Sequence, residues 1–278
     1  MKDRSYIFLS LVGHYFRNYY RSRSFFLILA VVVLVSSLLS YFSFHYIGDI
    51  GRIFPSLAGK LSPNVEENLL SYLWALVLID LPVFSAVFFG SPAISGEIEN
   101  RTAYHIFTLP IRRVSLLLAK YLAASMATLL AMIIYLAFQF ASLWILFHGV
   151  LPGAFSLSIG LLTVFVFSIT AFTFMLSGIF NRNTYAYISV FLIYFLVFYA
   201  ATLISEFLYS YDPFFLLNNA TSIVDRVYLN ISPGIITTSL SLAGATASEV
   251  ASSLLVMILY MILSLAVAAI LFDRKEVK

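Results

Sequence analysis

Few side chains in this 278-residue chain have both the type and the setting for chemistry. Asp80 lies inside a long apolar run, directly before Leu81-Pro82. A carboxylate at the centre of a membrane helix costs about 2.5–3.5 kcal/mol on insertion scales, so its presence calls for a reason. Two reasons stand. It is a translocation-path or gate residue, or it is a protonated or paired carboxyl bonded to a Tyr or Ser of a neighbouring span. Pro82 withholds a backbone N–H and permits a bend at the same place. Glu206, among Tyr199, Tyr209 and Tyr211, either lines an external gate or is an end charge that reaches the interface. Gln139, His148 and His45 lack spaced partners for metal work and read as packing or interface residues. There is no Cys, which excludes disulfides, Cys–zinc sites, iron–sulfur clusters and thiol nucleophiles. No metal site is expected. No His-Glu-x-x-His or Gly-x-Ser-x-Gly pattern occurs, so an intramembrane hydrolase has no motif to stand on.

The elements that must position these residues are membrane spans. Hydrophobic residues make up 62% of the chain and charged residues 10%, with a mean hydropathy of +0.97. Soluble domains are about half apolar and roughly a quarter charged, so a soluble enzyme, a disordered chain and a nucleic-acid-binding module are excluded. Six stretches reach the length of about 20 residues that a helical span requires: 25–47, 69–94, 115–147, 155–180, 185–208 and 250–272. Residues 209–249 form an external segment before the sixth. The runs lack the period-2 alternation of barrel strands. The first run is too long for the apolar core of a leader and no small-x-small site follows it, so it reads as a retained span. The fold class expected is an all-α polytopic membrane protein, built as a single transmembrane domain.

Orientation follows from Lys and Arg. Thirteen of the sixteen fall in segments 1–24, 95–120, 181–184 and 273–278, and the other three are Arg52, Lys60 and Arg226. That asymmetry places both termini in the cytoplasm and requires an even number of spans. Residues 1–24 read as an interfacial helix. Phe8, Leu11, Val12, Tyr15, Phe16 and Tyr19 share one arc, whereas Ser10, His14, Arg17, Asn18 and Arg21 share the opposite one. Arg17, Arg21 and Arg23 would meet the inner headgroups. Arg112, Arg113 and Lys120 would anchor the third span in the same way. The 209–249 segment reads as short external helices, the first over 213–228, apolar enough to dip into the outer leaflet.

The cytoplasmic stretch between spans two and three carries the most information. It runs Ile94-Ser95-Gly96-Glu97-Ile98-Glu99-Asn100-Arg101-Thr102, then an apolar segment to Leu109-Pro110-Ile111-Arg112-Arg113, and on to Lys120. It forms a short charged helix ended by a Leu-Pro break. This pattern resembles the permease subunits of ABC transporters of the ABC-2 class. Glu97, Glu99, Thr102, Leu109, Pro110, Ile111, Arg113 and Lys120 match in register, and Arg101 stands where that family has glycine. The motif covers about 27 residues; the six spans, the basic N-terminal helix and the external helices extend the resemblance over the whole chain.

The resemblance implies a homodimer or heterodimer of permease chains, bound in the cytoplasm to a separate ATP-binding subunit. It implies a coupling helix after span two, with Glu97, Glu99, Arg101, Thr102, Pro110, Arg113 and Lys120 serving that contact. In such permeases spans one, two and five flank the path and cargo usually moves outward. Asp80, Pro82, Tyr187, Tyr194, Tyr199 and Glu206 are then the candidate path residues, and an aromatic path suits amphipathic cargo such as a peptide or lipid. No cofactor is expected on this chain; ATP and Mg belong to the partner ATPase, because no Gly-x-x-x-x-Gly-Lys-[Ser/Thr] loop is present. Copper handover is poorly supported, since the external loops hold no Cys, Met or clustered His. The alternatives are an ATP-independent secondary transporter or channel, and an intramembrane enzyme.

Overall fold

The computed structural model describes residues 2–47, 62–100, 112–209, 213–230 and 244–274, the side chains of 2–5, Glu206 and Tyr209 excepted. Regular structure among the described residues is helical throughout. In chain order it comprises α1 (Lys2–Tyr20), α2 (Arg23–Tyr46), α3 (Pro63–Leu78), α4 (Leu81–Gly90), α5 (Ser95–Glu99), α6 (Arg113–Leu146), α7 (Phe155–Ile179) and α8 (Asn183–Phe191). A π-helical stretch, Leu192–Phe198, joins α8 to α9 (Tyr199–Tyr209), followed by α10 (Leu217–Thr221), α11 (Ile223–Arg226) and α12 (Ala247–Arg274).

Six helical stretches are long and apolar enough to cross a membrane: Arg23–Tyr46, Pro63–Ala93, Arg113–Leu146, Phe155–Ile179, Asn183–Ser205 and Ala247–Arg274. The second begins several residues earlier than its hydropathy suggests. Pro63 supplies the pre-set φ of a first helical position, so the polar turn holding Glu66 and Glu67 is helix and not loop. The sixth begins on a capping box. Thr246 Oγ1 accepts from the N–H of Glu249 at 3.3 Å, and Glu249 Oε2 accepts from the N–H of Thr246 at 2.9 Å.

The fourth span is the hub of the bundle and the fifth its periphery: 67% of the apolar window of the former is buried, against 11% of the latter. The sixth span packs along the fourth, and α1 lies along α6. Small residues make these approaches possible. Ala119, Ala123, Ala124, Ala127 and Ala131 on α6 are fully buried. A Cβ at Gly90 would fall 2.0 Å from Thr173 Oγ1, so α4 crosses α7 at a point only glycine permits. Hydrogen bonds cross between spans as well. Trp74 Nε1 donates to Ser43 Oγ at 3.0 Å, Tyr135 Oη to the Trp74 carbonyl at 2.7 Å, and Tyr121 Oη to the Phe167 carbonyl at 2.9 Å. Such bonds average about 0.6 kcal/mol each in membranes, so they fix register more than they supply stability.

The arcs read on α1 hold residue by residue. Ser10, His14, Arg17, Asn18 and Arg21 are exposed, while Leu11, Val12, Tyr15, Phe16 and Tyr19 are buried or half-buried. The apolar face is covered by α6, however, and so is spent on the third span.

Candidate functional site

Two constellations stand out, one at each end of the bundle. The first gathers Tyr15 of α1, residues 93–99, the start of α6, the junction of spans four and five, and the end of α12. Lys120 is its centre, with a side chain only 3% exposed. It pairs with Glu97 Oε1, and Nζ donates to the Ala93 carbonyl at 3.0 Å. The ammonium also lies 5.3 Å from the Tyr15 ring centroid and 5.9 Å from that of Phe272. One cation therefore ties together α1, the segment after span two, span three and span six. Burial, with the Glu97 carboxylate nearby, pushes the Tyr15 hydroxyl up to about 12, so it stays neutral.

Glu99 makes a second tether. Its Oε2 accepts from the backbone N–H of Asn183 at 2.8 Å, at the first residue of α8. A carboxylate at that position satisfies an orphan N–H and complements the helix dipole. Ser177 makes a third. Its Oγ donates to the Ser91 carbonyl and accepts from the N–H groups of Ile94, at 3.1 Å, and Ser95, at 3.0 Å. The turn leading into α5 is thus capped from the fourth span. Arg113 Nη1 donates to the Asp273 carbonyl at 2.8 Å and joins the starts and ends of spans three and six.

The second constellation is a cavity of about 650 Å³ toward the opposite end. Span two contributes Leu76, Ile79 and Asp80; span five contributes Tyr194, Phe195, Tyr199, Thr202 and Leu203; α10 and α11 contribute Asn218, Asn219, Ser222, Asp225 and Arg226. Its walls coincide with irregular backbone. Span two breaks at Asp80, which precedes α4 without capping it, and Pro82 stands in the first turn of that helix. The π stretch of span five carries Tyr194 and Phe195. Inserted residues of this kind recur at functional sites because they re-aim side chains without ending a helix. The short helices are tucked in, not floating: Leu217, Ile223, Val224 and Val227 are buried, and Ser158 Oγ donates to the Val224 carbonyl at 2.9 Å. Burial pushes the Asp225 carboxyl up to about 7, with Asp80 adding to the rise and Arg226 opposing it.

The sequence model of the ABC-2 family transporter proteins matches residues 9–277, nearly the whole chain. The chain belongs to this family. It is the membrane-spanning permease of an ABC transporter, a type of subunit that is in general non-catalytic and that associates with an ABC ATP-binding subunit. A comparison with curated protein sequences finds no significant match.

Within the ABC-2 permease the sequence-derived residues separate. Asp80, Tyr194 and Tyr199 share the cavity; Pro82 is buried and does not line it. Tyr187 does not reach it and packs 5.7 Å from the Phe88 ring, in an aromatic ladder that continues through Phe84, Phe191 and Phe195. Glu206 belongs to α9, beyond the cavity in sequence, and its side chain lies outside the described set. Arg101, Thr102 and Pro110 also lie outside the described residues. Arg17, Arg21 and Arg23 are exposed around the α1–α2 turn. Lys120 departs from expectation. It is not a headgroup anchor, because Glu97 and the Ala93 carbonyl hold it inside the protein, where a free ammonium would be costly. Sequence reasoning missed Ser177, Asn183, Asn218 and Asp225. Only Asp225 had a legible signal, as an acid in the apolar part of the external segment.

Proposed function

We propose that this permease forms the translocation path of an ATP-driven exporter in the cell membrane, with both termini cytoplasmic. Two permease chains pair, and each engages a separate ATPase subunit that carries ATP and Mg. The cargo is amphipathic. The observation that carries the reading is the tethering of the segment after span two. Glu97 grips span three through Lys120 and Glu99 holds the first residue of span five, so a push on residues 95–111 is delivered to spans at once. In this reading Glu97, Glu99 and Lys120 transmit the motion. The contact with the ATPase falls to the rest of the loop, including Arg101, Thr102 and Pro110, with Arg113 tying its end to span six.

The orientation is supported by the gathering of Tyr15, residues 93–99, 113–120, 177–183 and 272–273 at one end of the bundle, the end where the basic residues concentrate. The test is co-expression with the ATPase encoded nearest to this chain, purification through a tag on the permease, and measurement of composition and ATP hydrolysis. The expected result is a complex with two ATPases. Replacing residues 101–111 by a Gly/Ser stretch of equal length should lose the ATPase, whereas Glu99→Gln should keep it and uncouple hydrolysis from transport. Failure of every candidate ATPase to co-purify would refute the proposal.

A further inference from the structure

We infer that the outer cavity is the cargo site and that it selects amphiphiles bearing an ammonium group. This deepens the exporter reading and rests on it for the word cargo. The cavity, at about 650 Å³, is within the range of sites that bury a small molecule. Its unspent polar capacity is one-sided. Asp225 is 97% buried by its 3% exposure, yet its Oδ1 has no hydrogen-bond partner. Asn218 donates to Thr202 Oγ1 at 3.2 Å, and its Oδ1 likewise has no partner. Asp80 adds a second carboxylate that makes no capping bond.

The one cation at the wall, Arg226, pairs with Glu249 Oε2 at 3.2 Å. The cavity wall thus sets two carboxylates, Asp80 and Asp225, against one guanidinium that is shared with Glu249, which leaves an excess of acceptor capacity and negative charge. An unsatisfied buried acceptor is destabilising, and a donor-bearing guest that reached it would relieve that cost. Tyr194, Tyr199 and Phe195 contribute aromatic rings to the lining, a type of surface that can attract a cation, and Leu76, Ile79 and Leu203 provide an apolar wall for a chain. Among the described residues no three His, Cys, Asp or Glu side chains gather as they would around a metal ion, so the geometry favours an organic ammonium.

The test is binding to the full permease chain, purified in neutral detergent without an ATPase. The probes are dodecylamine, dodecanol and dodecanoate, which share one tail and differ in headgroup, read by thermal shift and titration calorimetry. Dodecylamine is expected to bind and to raise the unfolding temperature, while the alcohol and the carboxylate do neither. Asp225→Asn and Asp80→Asn should each weaken the amine roughly tenfold or more. Tyr199→Leu, at an exposed position that folding does not need, should weaken it several-fold. Equal binding of all three probes would overturn the inference, and so would amine binding that survives Asp225→Asn and Tyr199→Leu unchanged. Because no ATPase is present, failure here leaves the exporter reading standing, and failure of ATPase co-purification leaves this site standing as a binding site.

Discussion

Replacing Lys120 by methionine keeps the length of the stem and deletes the charge, so it isolates what the buried cation contributes. The variant loses the pair with Glu97, the bond to the Ala93 carbonyl and two cation–π contacts. Breaking a buried pair by removing one partner costs about 3–5 kcal/mol, most of it from the charge left behind. Glu97 retains 17% side-chain exposure and recovers part of its solvation, which lowers the expected cost to about 2–4 kcal/mol. Adding Glu97→Gln removes the charge that Lys120 had balanced. What then remains lost is one bond to a carbonyl and the ring contacts, about 1–2 kcal/mol. The double variant should therefore be more stable than Lys120→Met alone, although it carries one more substitution. The assay is a double-mutant cycle of unfolding by SDS titration of the purified chain in neutral micelles, followed by circular dichroism. Additivity within about 0.5 kcal/mol would refute the reasoning, because it would mean that the two side chains are not coupled.

Asp225 holds its proton up to about pH 7 in the folded chain and releases it near its ordinary value of 3.8 when unfolded. The fold thus binds more protons in that window, so stability is full below pH 4, falls as pH rises to about 7, and is flat above, by up to about 4 kcal/mol. Asp80, Tyr72 and Arg226 act on the same carboxyl, so the reading is the difference between wild type and Asp225→Asn in unfolding temperature at pH 5 and 8. The variant should gain at pH 8 and lose the slope; an unchanged slope contradicts the assignment. Gly90→Ala should cost about 1–3 kcal/mol through its collision with Thr173, and Thr173→Ala in the same chain should restore part of that, as measured by unfolding in micelles. Glu99→Gln should accelerate hydrogen exchange at the first amides of α8 while leaving the rest of span five protected; unchanged exchange there would remove the tether from the argument.

The six spans and the two faces of α1 were legible because each depends on local pattern: apolar length and a 100° periodicity. The ends of α3 were not, because a helix that starts on Pro63 can carry Glu66 and Glu67 into what hydropathy scores as loop. Glu97 and Glu99 were legible as a motif, but their partners were not. Lys120 is 23 residues from Glu97 and Asn183 is 84 from Glu99, and only the close packing of small-residue helices brings them together. Asp80 was noticed for its charge. Its neighbours Asn218 and Asp225 escaped notice because the segment that holds them was read as short helices dipping into the outer leaflet, whereas Leu217, Ile223, Val224 and Asp225 are buried against the protein's own helices.

The arrangement of irregular backbone gives the proposed mechanism a mechanical basis. Span two runs from the Asp80 break through the Gly90 crossing to Ala93, about 20 Å at helical rise. Span five runs from Asn183 to the π stretch that carries Tyr194, about 16 Å by the same measure. The inner ends of both are held by the segment after span two, through Lys120 and Glu99. Between those ends and the cavity, Phe88 packs against Tyr187 and Phe84 against Phe191, so the inner halves of the two spans are clamped together. A displacement applied at the inner ends cannot be absorbed in that packed region, because close-packed interiors transmit strain. It can be absorbed where the hydrogen-bond ladder is already interrupted, at Asp80–Pro82 and at Leu192–Phe198, and both points border the cavity. The weak points of two clamped rods thus coincide with the space that would have to open.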